Sequence, residues 1–223
     1  MSTPADALSC AAVLFDLDGV LVESGSTVER SWRAWAVDHG LDPDAVVAAC
    51  HGRPSAETIA AVAPHLDAAG EAAALELLQA ADTSELVACP GAAEILAALP
   101  GTRHAVVTSG TRPLATARLT SVLLPVPAVL IAAGEVPRGK PAPDGYLAAA
   151  ARLGFVPESC VVVEDARPGV LAARAAGCRV IGIDGPLLGD PSDVDILVPD
   201  LAALAATVGT GSIALTRRSE THV

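Results

Sequence analysis

An α/β fold, a doubly wound parallel sheet with an all-helical lobe inserted near its start, is predicted by three features of the sequence. Residues 11–15 form an apolar run that ends in two aspartates. The next stretch, from residue 26 to about 88, is helical in pattern with no strand-like interruption. From Pro90-Gly91 onward, short apolar runs alternate with helical segments. Alternation of this kind builds a parallel sheet with helices on both faces. With 223 residues the chain can form one substantial core and an inserted lobe, but not two ordinary domains in series. The expected division is a core of 1–19 and 90–223 and a helical cap of 20–89.

Taken in order, residues 11–15 read as a strand covered on both faces, whose carboxyl end is where chemistry gathers in such sheets. Val28, Trp32, Trp35 and Ala36 recur at helical spacing, and helices at 55–62 and 71–81 follow turn signals. The two tryptophans are expected in the core of the lobe. Residues 20–24 and 85–90 are the expected hinge strands, a placement suited to a lid that expels water on closing. Strands are expected at 105–107, 129–131, 161–163 and 180–183, and helices at 92–99, 114–123, 144–153, 170–176 and 201–208. The segment 210–223 is expected to hold a short edge strand at 213–216 and then a frayed tail.

Composition narrows the partners. A net charge of −12 argues against nucleic acid, which needs a basic face, but not against a small phosphorylated metabolite, which a metal and one or two cations can neutralise locally. Residues 1–10 carry no Lys or Arg and the apolar run stops at Asp16, so neither a signal peptide nor a membrane span is expected. Cytoplasm is the expected compartment. Five cysteines without Cys-x-x-Cys spacing fit reduced thiols that fill the core. A monomer or weak oligomer is expected.

Four strand ends carry polar residues. Asp16 and Asp18, two apart, are expected to project the same way from the pleat. Carboxylates so close ionise together only with a cation or a shared proton, which suggests a metal site with one nucleophile and one acid/base; an Asx-rich turn is the plainer reading of the same pair. Thr108-Ser109-Gly110 offers a hydroxyl and backbone N–H groups for phosphate oxygens, or a helix cap. Lys140 follows Arg138-Gly139 and precedes two prolines that fix its loop. It is the sole Lys among 14 basic residues, so it is expected where a compact ammonium is required. Glu164 and Asp165 form a second acidic pair. Asp16, Asp18, Glu164 and Asp165 are hard oxygen ligands suited to octahedral Mg²⁺.

These four motifs, Asp16-Leu17-Asp18-Gly19-Val20, Thr108-Ser109-Gly110, Lys140-Pro141-Ala142-Pro143-Asp144 and Glu164-Asp165-Ala166 with Gly169, resemble in order those of the haloacid dehalogenase-like hydrolase superfamily. The inserted helices resemble its helical-cap subgroup, with a Rossmann-like core, and the match runs to about Leu201. His51-Gly52-Arg53 and Arg138-Gly139-Lys140-Pro141 look most like the sugar-phosphate phosphatases. The resemblance implies that Asp16 attacks phosphorus to form an aspartyl phosphate, and that Asp18 protonates the leaving oxygen and then deprotonates water. It implies too that Thr108, Ser109 and Lys140 hold the phosphoryl group, while Asp165, with Glu164 beside it, binds Mg²⁺. His51 and Arg53 are candidate substrate contacts, with helix-start capping and an ion pair to Glu57 as their other readings.

Three related activities fit less well. Dehalogenases of this fold lack the second aspartate, and phosphonate-cleaving relatives use a cap Lys that this chain does not have. A phosphomutase of the β-phosphoglucomutase type shares all four motifs, yet its cap His and Arg align with Val28 and Ser55. A non-catalytic phosphosugar-binding module would tolerate loss of the nucleophile, and here every catalytic position is filled.

Overall fold

The computed structural model describes residues 6–218. In chain order the elements are β1 (Ala7–Cys10), β2 (Ala12–Phe15), β3 (Val22–Glu23), α1 (Gly25–Asp38), α2 (Pro43–Cys50), α3 (Ser55–Val62), α4 (Ala68–Ala81), β4 (Val87–Ala88) and α5 (Ala92–Ala98). They continue as β5 (His104–Val107), α6 (Arg112–Ser121), β6 (Leu130–Ile131), α7 (Asp144–Leu153), β7 (Cys160–Glu164), α8 (Arg167–Ala175), β8 (Arg179–Ile183), β9 (Ile196–Val198), β10 (Leu204–Val208) and β11 (Ile213–Arg217).

Six strands form one parallel sheet in the order β6-β5-β2-β7-β8-β9. The chain leaves β2 first toward β5 and β6 and later toward β7, β8 and β9, so β2 lies at the topological switch point, where the loops at the carboxyl ends of neighbouring strands diverge and open a crevice. Along β2 the side chains alternate between two cores. Val13 and Phe15 join one cluster with Val106, Val161, Val163 and Ile181, and Ala12 and Leu14 join the other with Ala105, Val107, Val162 and Val180. Burial on both faces is why these strands read as unbroken apolar runs.

The inserted helices have a third core of their own, built on Trp32, Trp35, Ala36, Val46, Ile59 and Leu75. The two indoles meet edge to face at 5.6 Å and 81°, a geometry that adds roughly 0.5–1.5 kcal/mol beyond burial. β3 and β4 pair antiparallel, Val22 with Ala88 and Glu23 with Val87, where the chain enters and leaves the helices. The helices end at Ala81, so the helical pattern does not extend to about 88 as expected, and β4 falls inside the expected hinge strand 85–90. All five cysteines are free and buried, and burial pushes Cys10 up to about 11 and Cys50, Cys89 and Cys178 up to about 12. Among the described residues no helix is long and apolar enough to cross a membrane.

The end of the chain departs from expectation. Residues 201–208 are not a helix: a single 3-10 turn at Leu201–Ala203 leads into β10. Leu-Ala-Ala-Leu-Ala-Ala suits helix and strand alike; what decides is a neighbour, since β11 folds back after the turn closed by Gly209 N–H on Ser212 O at 2.8 Å and pairs with β10 along its length. β11 in turn is the middle strand of a separate antiparallel sheet, β1-β11-β10, rather than an edge. The last part of the expected frayed tail, 219–223, lies outside the described residues.

Candidate active site

β2 ends at Phe15, and Asp16 continues its line only as far as one hydrogen bond, from its N–H to Val163 O at 3.0 Å. The chain then turns tightly, with Leu21 and Val22 N–H donating to Leu17 O at 2.9 and 3.0 Å. Asp18 therefore lies in a turn, bridged to Val22, rather than in a continuation of the strand. Gly19 sits in this turn at φ +80°, and a Cβ there would lie 2.1 Å from Asp165 Oδ2, so glycine is needed for conformation and for space.

Asp16 is 8% exposed and accepts a very short hydrogen bond from Lys140 Nζ, which also donates to Glu164 Oε1 at 2.6 Å. Glu164, at the end of β7, is fully buried and held on every side. Tyr146 Oη donates to Oε1 at 2.7 Å, and the N–H groups of Asp165 and Ala166 donate to Oε2 at 3.1 and 3.2 Å. Lys140, 6% exposed, also lies 5.3 Å from the Tyr146 ring centroid. Lys140 thus lies in a buried ion-pair network rather than as a solvated loop cation.

Charge in this cluster is unbalanced. Asp16, Glu164 and Asp165 each bring a carboxylate oxygen within 4.8 Å of the others, around one ammonium. Burial, only partly offset by Lys140 and reinforced by Glu164 and Asp18, pushes the Asp16 carboxyl up to about 7. Burial and the Glu164 and Asp16 charges likewise hold Asp165 well above the carboxylate range. Burial would lower the Lys140 pKa, but its two carboxylate partners outweigh it and the pKa is raised, so the ammonium stays charged. Three crowded hard-oxygen donors with excess negative charge fit a divalent cation such as Mg²⁺.

Asp18, expected among the metal ligands, does not bring its carboxylate into that group. Its Oδ1 accepts from Ser24 Oγ at 2.6 Å and its Oδ2 from Arg118 Nη1 at 2.6 Å. Arg118 is 4% exposed and also donates to Gln79 Oε1 at 3.2 Å. The sequence reading missed Arg118, Gln79, Ser24 and Tyr146. A signal for the first was present: Arg118 follows Leu114 and Ala115 at helical spacing, so a cation falls on the buried stripe of α6. Gln79 stands likewise four residues after Leu75 on α4.

A cavity of about 440 Å³ lies over these groups and is lined by Asp16, Asp18, Lys140, Glu164 and Asp165 together with Val28, Trp32, His51, Arg53 and Ser55 from the inserted helices. Ser109 and Gly110 reach it too. Thr108 does not: it is buried, its Oγ1 accepts from Gly110 N–H at 3.1 Å, and it borders a second cavity of about 240 Å³. The capping reading of Thr108-Ser109-Gly110 fails as well, because the N-cap of α6 is Thr111. His51 ends α2 and does not start a helix, and burial lowers its pKa. Arg53 is exposed and makes no ion pair with Glu57 or any other carboxylate among the described residues.

A family model for haloacid dehalogenase-like hydrolases matches residues 10–177. The chain belongs to the haloacid dehalogenase-like hydrolase family. It is 42% identical to hexitol phosphatase A of Escherichia coli K12 over 207 residues, covering 90% of this chain and 95% of that protein. It is 33% identical to glycerol-1-phosphate phosphohydrolase 2 of Saccharomyces cerevisiae, covering 82% of this chain and 78% of the yeast enzyme. Among solved structures, CbbY from Rhodobacter sphaeroides in complex with phosphate matches at a TM-score of 0.76 and 26% identity, over 86% of this chain and 95% of that one.

Proposed function

We propose that the protein is a Mg²⁺-dependent phosphatase that hydrolyses a small phosphorylated metabolite, a sugar or polyol phosphate, through an aspartyl-phosphate intermediate. The observation that carries this reading is Asp16: a buried carboxylate at the switch point of the sheet, aimed by Lys140, bordered by Glu164 and Asp165, and opening into a cavity shared with the inserted helices. Asp16 attacks phosphorus, the bond from phosphorus to the leaving oxygen breaks, and Asp18 supplies that oxygen with a proton. A water molecule then attacks the phosphorylated Asp16, gives its proton to Asp18, and releases phosphate and free Asp16.

Lys140 keeps Asp16 oriented and offsets part of the repulsion between carboxylate and phosphate. Ser109, beside Gly110 at the cavity wall, offers its backbone N–H to phosphoryl oxygens while its hydroxyl donates to Gly52 O at 3.2 Å, and Thr108 supports that loop from behind. Asp16 and Asp165 would hold Mg²⁺ with Glu164, itself tied to Lys140, Tyr146 and two N–H groups, beside them, and the ion when bound supplies the remaining positive charge. The helical region 20–89 acts as a lid whose residues meet the alcohol portion of the substrate. His51 and Arg53 are its polar candidates.

Val28 and Ser55 support hydrolysis over mutase chemistry, because both line the cavity where the mutase type carries His and Arg. Names of relatives point the same way: the hexitol and glycerol phosphatases both act on phosphate esters of polyols. A panel of phosphorylated metabolites with Mg²⁺, scored for free phosphate and separately for positional isomers, tests the reading. Phosphate release abolished by Asp16→Asn is expected. Isomerisation of β-glucose 1-phosphate faster than phosphate release would assign the chain to the mutases instead.

A further inference from the structure

We propose that Arg118 is a positioning residue: it fixes the orientation of Asp18 and ties that orientation to helix α4 of the inserted lobe. This inference rests on the phosphatase reading, in which Asp18 is the acid and base. Asp18 needs such a partner, since its side chain is 31% exposed and nothing in its own turn holds Oδ2. Arg118 rises from core helix α6, places Nη1 at 2.6 Å from Asp18 Oδ2, and uses Nη2 to reach Gln79 Oε1 at 3.2 Å on α4. Gln79 is itself buried, and its Nε2 donates to Ser31 Oγ on α1 at 2.7 Å. A continuous polar line thus runs from the acid/base carboxylate into the inserted helices.

A second buried contact fixes the same two helices. Glu76, one turn before Gln79 and 5% exposed, accepts from Thr111 N–H at 2.9 Å, at the start of α6. With α4 and α6 joined at both places, the guanidinium cannot follow one partner without leaving the other, because its planar fork donates in fixed directions. A shift of α4 against α6 therefore moves Arg118 and, through it, Asp18. An acid that must come within about 2.6–3.2 Å of the leaving oxygen is sensitive to such a shift. The arrangement makes lobe position a condition for proton transfer, carried by side chains that touch neither Asp16 nor Lys140.

The test separates proton transfer from everything else. Arg118→Met retains much of the apolar stem and removes the fork. Single-turnover rates are measured with the alkyl phosphate turned over fastest by the wild type and with p-nitrophenyl phosphate, whose leaving group needs no proton. Arg118→Met is expected to slow the first by about a hundredfold, within the usual range for acid–base catalysis, and the second by less than about threefold. Nitrophenol should then appear in a burst with a lowered steady-state KM, because water activation is slowed, while KM for the alkyl ester, where both steps are slowed, changes little. Gln79→Met, which leaves the Arg118–Asp18 pair in place and cuts its tie to the inserted helices, should show the same pattern with about a tenfold effect, and Arg118→Lys should recover part of the loss.

Equal losses on both substrates, a KM effect without a kcat effect, or no loss in either variant would overturn the inference. If Arg118→Met does not fold, Gln79→Met decides alone. Where p-nitrophenyl phosphate is not turned over, the split between kcat and KM with the alkyl ester and the recovery by Lys decide. Wild-type protein that releases no phosphate from any ester would instead overturn the phosphatase reading itself.

Discussion

Replacing Lys140 by Arg keeps the charge and changes the shape, and the structure predicts two separable losses. The Nζ is confined between Asp16 and Glu164 at 6% exposure, with Tyr146 beside it. Glu164 cannot retreat, since Tyr146 and two backbone N–H groups hold it and Gly169 packs against it. A longer, planar guanidinium must displace Asp16 or strain the pocket. Overpacking of this kind costs about 1–3 kcal/mol, which for a domain of this size lowers Tm by roughly 2–12 °C. A displacement of Asp16 by about 1 Å costs on the order of a hundredfold in phosphoryl transfer, or about 2.7 kcal/mol in kcat/KM. In an open loop the same change would cost no stability; burial at 6% exposure reverses that. Thermal unfolding and phosphate release, the latter measured well below the variant's Tm, check both numbers. A variant that melts within about 1 °C of wild type and keeps more than a tenth of its activity would refute the argument from confinement.

Three further outcomes follow from the same geometry. Because burial raises Asp16 from the ordinary 3.8 to about 7, its contribution to the stability of the metal-free protein is complete at low pH and is lost as pH rises through 7; Asp165 shifts the same way. Mg²⁺ at a hundred times its pH 8 Kd should therefore raise Tm by roughly 5–11 °C at pH 8, and the same concentration by clearly less at pH 5, with Asp165→Ala abolishing the effect; equal shifts at the two pH values would count against a site made of these carboxylates. Gly169→Ala should destabilise by about 3 kcal/mol in urea unfolding, since its Cβ would fall 1.6 Å from Glu164 Oε1. Arg138→Lys, two residues from Lys140 in an exposed pair with Asp144, should keep activity within about twofold and leave the melting curve unchanged.

The α/β class, the helical insertion and the four strand-end motifs were all legible in the sequence, because each depends on short-range pattern. Strands buried on both faces read as apolar runs ending in polar residues, and chain order alone brings Asp16, Ser109, Lys140 and Asp165 to the same edge of a parallel sheet. The rarity of Lys singled out Lys140, which the fold buries between Asp16 and Glu164. What the tertiary structure alone decided were the matters settled by neighbours distant in sequence. The segment beginning at Leu201 became a strand because β11 offered it a pairing edge, which its own helix-compatible pattern could not reveal. Asp18 is held apart from the Asp16, Glu164 and Asp165 cluster by Arg118, a hundred residues later, and by Ser24. Arg118 is buried rather than solvated because Gln79 arrives from the inserted helices to share it. Local periodicity specifies which face of an element is buried; where a buried polar group points depends on the partner that satisfies it, and that partner is supplied by the fold.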